Sequence, residues 1–218
     1  MTLSRYTDLP GKPPRVTSII SEMVRSPGLE YWKTTEAVRA GMRSTTIEDG
    51  RALLGSERDD TMSRGSAVHA WVADMFEAGV VLEPPLAVRS FCAQFLDWRD
   101  RWPSTVVSYE EVVISPSPPY AGRYDMVLLD GGGGKWLVDV KTAAKSPRGI
   151  YPEHALQLAA YGRLLDVQHW GILQLWPAGW RLTEVERSLH LEVVFCDLAR
   201  SAVALDELGD RIETKVIG

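Results

Sequence analysis

The chain has 218 residues, 45% of them hydrophobic, enough to bury one good core and rather few for two. Its formal charge of −5, from 24 basic against 29 acidic side chains, excludes a protein that coats nucleic acid by bulk electrostatics, so any nucleic-acid contact has to come from a local patch. Cys92 and Cys196 each sit in an apolar stretch without a CxxC partner, which leaves no ligand set for an Fe–S cluster or a structural zinc and suits a reducing compartment. With no apolar leader segment and no run of about 18 apolar residues, the expectation is a soluble, cytoplasmic protein without a membrane segment.

Residues 1–15 carry Pro10-Gly11 and Pro13-Pro14, which forbid a helix and predict an extended or disordered lead-in. Thr17 or Ser18 can cap a short helix from Ile19 to Arg25, ended by Pro27-Gly28, and a second helix is predicted from Leu29 to Arg43 with Lys33, Arg39 and Arg43 on its polar face. The stretch Ser44 to Ser63 lacks a sustained apolar period and reads as a mobile loop with a turn of helix at Arg51 to Leu54. Ser66 then stands as N-cap of a helix with Val68, Trp71, Val72, Met75 and Phe76 on one stripe and Gly79 just past its end. His69 lies in the first turn, off the stripe. The expected organisation is N-terminal helices and a loop over residues 16–63, able to cover a site, and a core over residues 64–218.

A further helix is predicted from Leu86 to Arg101, with Pro103 stopping it, and Thr105 to Ser115 changes to strand periodicity. Two strands around four consecutive glycines follow, one over 122–129 and one over 136–142. A helix from Pro152 to Val167 comes next, then a hairpin over 169–186, and a last helix from Leu191 to Ile212. The implied class is α/β, a mixed sheet flanked by helices.

The glycine hairpin concentrates the chemistry. A five-residue loop from Asp130 to Gly134 pairs Leu129 with Lys135 and, by register, Asp125 with Asp139. Lys141 shares the face of Asp139, while Val138 and Val140 point to the opposite, apolar side. Two carboxylates held that close repel and call for a positive partner, and a hard divalent cation such as Mg²⁺ fits. Such a cation polarises a phosphate and acidifies a bound water, and Lys141 would orient that water or stabilise developing charge. The bland reading is a surface hairpin with scattered charges. Asp139 speaks against it, since an unpaired carboxylate in an otherwise apolar strand is expensive.

Gly122-Arg123-Tyr124-Asp125, Val138-Asp139-Val140-Lys141-Thr142, and Gln157 with Tyr161 in Gln157-Leu158-Ala159-Ala160-Tyr161 resemble the GxxD, DxK(T) and QxxxY motifs of the RecB-like branch of the PD-(D/E)xK nuclease superfamily. Arg64-Gly65-Ser66-Ala67-Val68-His69 resembles the upstream RGxxxH motif, and the segments from Val16 and from Gly28 look more loosely like phage and mitochondrial genome maintenance exonucleases. The resemblance implies a restriction-endonuclease-like nuclease core with an N-terminal helical extension. Asp125, Asp139, His69 and the main-chain carbonyl of Val140 would be metal ligands for Mg²⁺, with Mn²⁺ able to substitute, and Lys141 would be the catalytic lysine. Glu111 would be a carboxylate at the edge of the site, with Glu110 taking its place if the register slips by one.

Gln157 and Tyr161, i and i+4 with His154 on the same face, would reach a DNA phosphate, brace Lys141, or simply pack. Thr142, Arg64 and Ser66 are further candidate nucleic-acid contacts, and so are Lys145 and Arg148 in a segment where residues 135–148 hold a basic excess of three. Most of the eight tryptophans fall on apolar stripes, which leaves Trp32 and Tyr31 as candidates for base stacking. The implied activity is a DNA exonuclease of recombination, repair or replication in a bacterial or phage-infected cell. Its substrate would be a single strand or a free end, and its partner a recombination or single-strand-binding protein. A structure-specific endonuclease and a catalytically idle nucleic-acid-binding module are the alternatives.

Overall fold

The computed structural model describes residues 3–24 and 27–211. Helices come first: α1 (Val16–Met23), α2 (Pro27–Met42), α3 (Ile47–Ala78) and, after a 3-10 turn at Leu86–Val88, α4 (Arg89–Arg101). Five strands follow, β1 (Ser104–Tyr109), β2 (Val112–Pro116), β3 (Pro119–Arg123), β4 (Met126–Asp130) and β5 (Lys135–Thr142). After them come α5 (Pro152–Gly162), β6 (His169–Trp176), β7 (Gly179–Val185) and α6 (Leu189–Arg211). The main sheet has the order β1-β4-β5-β6-β7, with β2 and β3 as a separate two-stranded ribbon. Only β5 and β6 among its neighbouring pairs run parallel, joined through α5 as a crossover. The class is α/β, a mixed sheet flanked by helices.

β5 lies at the middle of the sheet because its sequence is apolar on both sides, as a strand covered on two faces must be. Leu137 and Ile172 pack into a core with Val16, Ile19, Leu158 and Phe195 from α1, α5 and α6. Val138, Val140, Leu173 and Leu175 pack on the other face with Val68, Val72, Phe91 and Trp98 from α3 and α4. The hairpin register Leu129↔Lys135 is the one read from the sequence. Its glycine loop is closed by the Asp130 carboxylate, which accepts from Gly132 N at 2.8 Å and Gly134 N at 2.9 Å, while Gly133 takes the left-handed φ of 84°.

Several expectations are corrected. The segment Ser44 to Ser63 is not a loop: α3 starts at Ile47 and runs unbroken for 32 residues. Thr46 is its N-cap, accepting from Asp49 N at 3.1 Å, and Glu48 and Asp49 stabilise the first turn. Ser66 therefore lies within the helix and caps nothing. Apolar periodicity had marked only the half of α3 that packs on the core; no proline interrupts the polar half, where Ile47 and Met62 are exposed.

The lead-in is ordered from Leu3: Leu3 and Tyr6 are buried, Leu3 N donates to Asp206 Oδ1 at 2.9 Å, and Arg5 pairs with Asp206 at 2.6 Å. α5 ends at Gly162 and not at Val167. α1 runs from Val16 to Met23 and not from Ile19 to Arg25, so Thr17 and Ser18 lie inside it and cap nothing, while the expected helix end at Ile212 lies outside the described residues.

Gly162 makes room for the buried Trp170, since a Cβ there would sit 2.2 Å from Trp170 Nε1. Gly162→Ala is expected to destabilise the protein by about 1–3 kcal/mol through overpacking. Chemical denaturation should show a lower midpoint at unchanged slope.

Candidate functional site

Asp139 and Lys141 project from β5 on the side of α5. The Lys141 ammonium donates to Asp139 Oδ1 at 3.1 Å and to Gln157 Oε1 on α5 at 3.0 Å. Asp139 is almost wholly buried, and its Oδ2, though 2.8 Å from the same ammonium, takes no directed hydrogen bond. Gln157 Nε2 in turn donates to the Tyr161 hydroxyl at 3.4 Å. Tyr161 is 2% exposed, so it braces Gln157 from the core and is not a surface contact for nucleic acid. Gly122 permits this packing: a Cβ there would lie 2.3 Å from Tyr161 Cε1.

The β4–β5 ladder stops at Met126↔Val138, so Asp125 sits in a bend just outside it. Asp125 Oδ2 accepts from Val140 N at 2.6 Å, one residue beyond the partner that strict register assigns. From α3, the His69 ring donates from Nε2 to the Val140 carbonyl at 3.1 Å, and its Nδ1 stands 3.3 Å from Asp125 Oδ1 and 3.6 Å from Glu110 Oε1. Glu110, with φ of 50°, turns its carboxylate into this cluster, whereas Glu111 Oε2 accepts from the Tyr124 hydroxyl at 2.7 Å. The carboxylate expected from Glu111 thus comes from Glu110, in a backbone conformation that non-glycine residues take at a cost of about 1–3 kcal/mol.

One ligand atom each from His69, Glu110 and Asp125 lies within 4.8 Å of the other two, a set that could hold a metal ion. The Val140 carbonyl borders the same set, and Asp139 is tied to Lys141 next to it.

The charges are strongly coupled. Burial opposes a charged imidazole, but Asp125, by charge and hydrogen bond, together with Glu110 and Asp139, lifts His69 to about 10. Burial likewise opposes the Asp125 carboxylate, yet His69, Lys141 and the Val140 amide hold its pKa below the ordinary value. Asp139 is lifted by burial to about 6, with Lys141 opposing and Asp125 reinforcing. Burial would also discharge Lys141, but Asp139 and Asp125 outweigh it and raise its pKa. His154 goes the other way, lowered to about 4 by burial and by Lys141.

Of the expected nucleic-acid contacts, Thr142, Lys145 and Arg148 line one groove beside Lys141, of about 810 Å³. Arg64 stands over the Phe91 ring at 5.7 Å and donates to Thr61 Oγ1 at 3.3 Å, and Ser66 is exposed in mid-helix. Trp71 and Trp98 are core residues, and Trp136 stacks on His169. Tyr31 is 75% exposed on α2, and the Trp32 side chain lies outside the described residues.

Sequence reasoning missed Tyr151 and Gln174, which also line the groove. Gln174 had a readable signal, a lone amide in the apolar run Ile172-Leu173-Gln174-Leu175.

No protein-family model and no curated protein matches the chain. Among solved structures it is similar to SSO0001, at a TM-score of 0.39 and 16% identity over 52% of this chain and 55% of that one, about half the length of each.

The two histidines should titrate in opposite directions. In the folded, metal-free protein, imidazole ¹H–¹⁵N spectra are expected to show His69 still protonated near about pH 8 and His154 neutral near about pH 5.5. Because the folded state binds the His69 proton more tightly than the unfolded chain, the stabilisation from this proton is full below pH 6.5 and is lost as pH rises through about 10. His69→Asn should flatten that part of the stability–pH curve.

Proposed function

We propose that the chain is a metal-dependent deoxyribonuclease, an exonuclease of the RecB-like PD-(D/E)xK type that hydrolyses phosphodiester bonds. The observation that carries this reading is the convergence of His69, Glu110, Asp125 and the Val140 carbonyl next to a lysine held by Asp139 and Gln157.

The donor set suits a divalent cation of the Mg²⁺ or Mn²⁺ kind. Carboxylate and carbonyl oxygens are the ligands hard cations prefer, and one imidazole is compatible with Mn²⁺. Asp139, also expected as a ligand, stands outside the His69, Glu110 and Asp125 set, its Oδ2 lying 2.8 Å from the Lys141 ammonium. When bound, the cation supplies positive charge that polarises a phosphate oxygen and lowers the pKa of a water.

The remaining work falls to the chain. Lys141 stays charged and adds its ammonium to the charge developing on the phosphate, in a site where Asp139 and Gln157 fix its position. In the metal-free protein Glu110 and Asp125 hold His69 through Nδ1 and the Val140 carbonyl holds Nε2; one of these nitrogens would give up its proton to ligate the cation. Lys145 and Arg148 hold the substrate backbone in the adjoining groove. α2 contributes Glu36 and Arg39 to that groove, so the α2–α3 extension covers one part of it and favours entry of a strand end. Cytoplasmic action in recombination or repair, beside a single-strand-binding protein, fits such a substrate.

Asp139→Asn is expected to abolish Mn²⁺-dependent cleavage of end-labelled DNA while leaving DNA binding within about twofold, and Lys141→Met to slow it by about 10²–10³. Activity that persists in Asp139→Asn would locate the chemistry elsewhere. With linear and circular single strands digested side by side, only the linear one should disappear; equal cleavage would make the enzyme an endonuclease.

A further inference from the structure

We infer that the groove beside Lys141 is a pocket for one unpaired nucleotide, with Tyr151 as the platform on which its base stacks. The inference rests on the nuclease reading and specifies its substrate, a strand with a free, unstacked base next to the bond that is cut.

The groove wall is built before any ligand arrives. The loop over 143–150 leaves β5 directly after Lys141 and Thr142, and two side chains of the sheet hold it from beneath. Gln174 Nε2 donates to the Gly149 carbonyl at 2.9 Å, and the Arg181 guanidinium donates to the Pro147 carbonyl. Gln174 and Arg181 are register partners on β6 and β7, and Gln174 is buried, so the loop is tied to the hydrogen-bonded sheet. A preorganised wall lowers the ordering cost of binding.

Its chemistry is that of a nucleotide in all three parts. Lys141 and Arg39 already have carboxylate partners in Asp139 and Glu36, but Lys145 and Arg148 are exposed and have no acidic partner among the described residues. These two cations are free for phosphate. Ala143, Ala144 and Ile150 supply an apolar lining. Tyr151, 45% exposed, is buttressed by His154 in an edge-on contact with centroids 5.5 Å apart, so the ring is held while much of it stays open.

The volume of about 810 Å³ lies within the range of small-ligand pockets. An acidic peptide would use the cations but leave the aromatic surface unused. A base inside a duplex has both faces stacked and cannot use it either, whereas an unpaired base of any identity can.

The test is fluorescence anisotropy in EDTA, where strands are bound and not cut, with labelled oligo-dT, oligo-rU and a blunt hairpin duplex. Wild type is expected to prefer at least one of the two single strands to the duplex, and a preference for the duplex over both overturns the pocket. Tyr151→Ala should weaken single-strand binding by about tenfold and Tyr151→Phe by less than about twofold, since the phenyl ring still stacks. One abasic residue walked along the strand should cost wild type the same about tenfold at a single position, and cost Tyr151→Ala nothing more there. Strand binding that is unchanged in Tyr151→Ala, or an abasic scan with no sensitive position, overturns the pocket and leaves the nuclease reading standing. Absence of nucleic-acid binding by wild type and every variant, in EDTA and equally with Ca²⁺ in place of the catalytic cation, overturns both.

Discussion

A carboxylate buried in the middle of an apolar strand is the constraint from which the rest of the site follows. Asp139 loses its hydration in β5, and its pKa climbs accordingly. Lys141, two residues on and therefore on the same face, answers that charge directly. Taking away one partner of such a pair costs about 3–5 kcal/mol, because the other is left charged and dry. The strand around the pair is covered on both faces, by α1, α5 and α6 on one side and by α3 and α4 on the other, and α5 is the crossover that joins β5 to its parallel partner β6. The same crossover brings Gln157 to the Lys141 ammonium, so fold and site share one connection.

A second negative charge, Asp125, is placed against the first by the hairpin and compensated from a different element. The bend before β4 lets its carboxylate accept the Val140 amide, and α3 lays His69 across the junction. Each carboxylate thus has its own cation, Lys141 for Asp139 and the His69 imidazolium for Asp125, while Glu110 adds a third negative charge beside His69. A divalent ion bound here would have to replace the His69 proton, since a neutral His69 with three carboxylates nearby is short of positive charge.

The hairpin was legible because strand alternation and turn length are local rules. Leu129↔Lys135 follows from a five-residue loop, and the shared face of Asp139 and Lys141 follows from a period of two. The choice between Glu110 and Glu111 was not legible. Glu110 takes a left-handed φ between β1 and β2, which breaks the alternation that strand reasoning depends on. α3 was half-read for a different reason: apolar period reports where a helix is buried, and the Ile47 half has few core contacts to report. The lead-in was misread because its order comes from Asp206, about two hundred residues away, with which no local rule could pair Leu3 and Arg5. The basic excess in residues 135–148 was visible in the sequence. That the loop carrying Lys145 and Arg148 is fixed by Gln174 and Arg181 was not, because it depends on register across β6 and β7.

α5 shows why a short motif can carry more than its residues say. His154, Gln157 and Tyr161 recur on one side of the helix, yet they sit at three depths. His154 borders the groove, Gln157 holds Lys141, and Tyr161 is packed over Gly122 in the core. The Gln-Tyr spacing is therefore a line of support running inward from the lysine. Its inner end requires glycine at position 122, in the strand that leads into Asp125. A change at Tyr161 or Gly122 would reach the ammonium through Gln157 without touching a substrate, and would also shift the backbone that carries Asp125. The two charged halves of the site are coupled through this packing as well as through their fields.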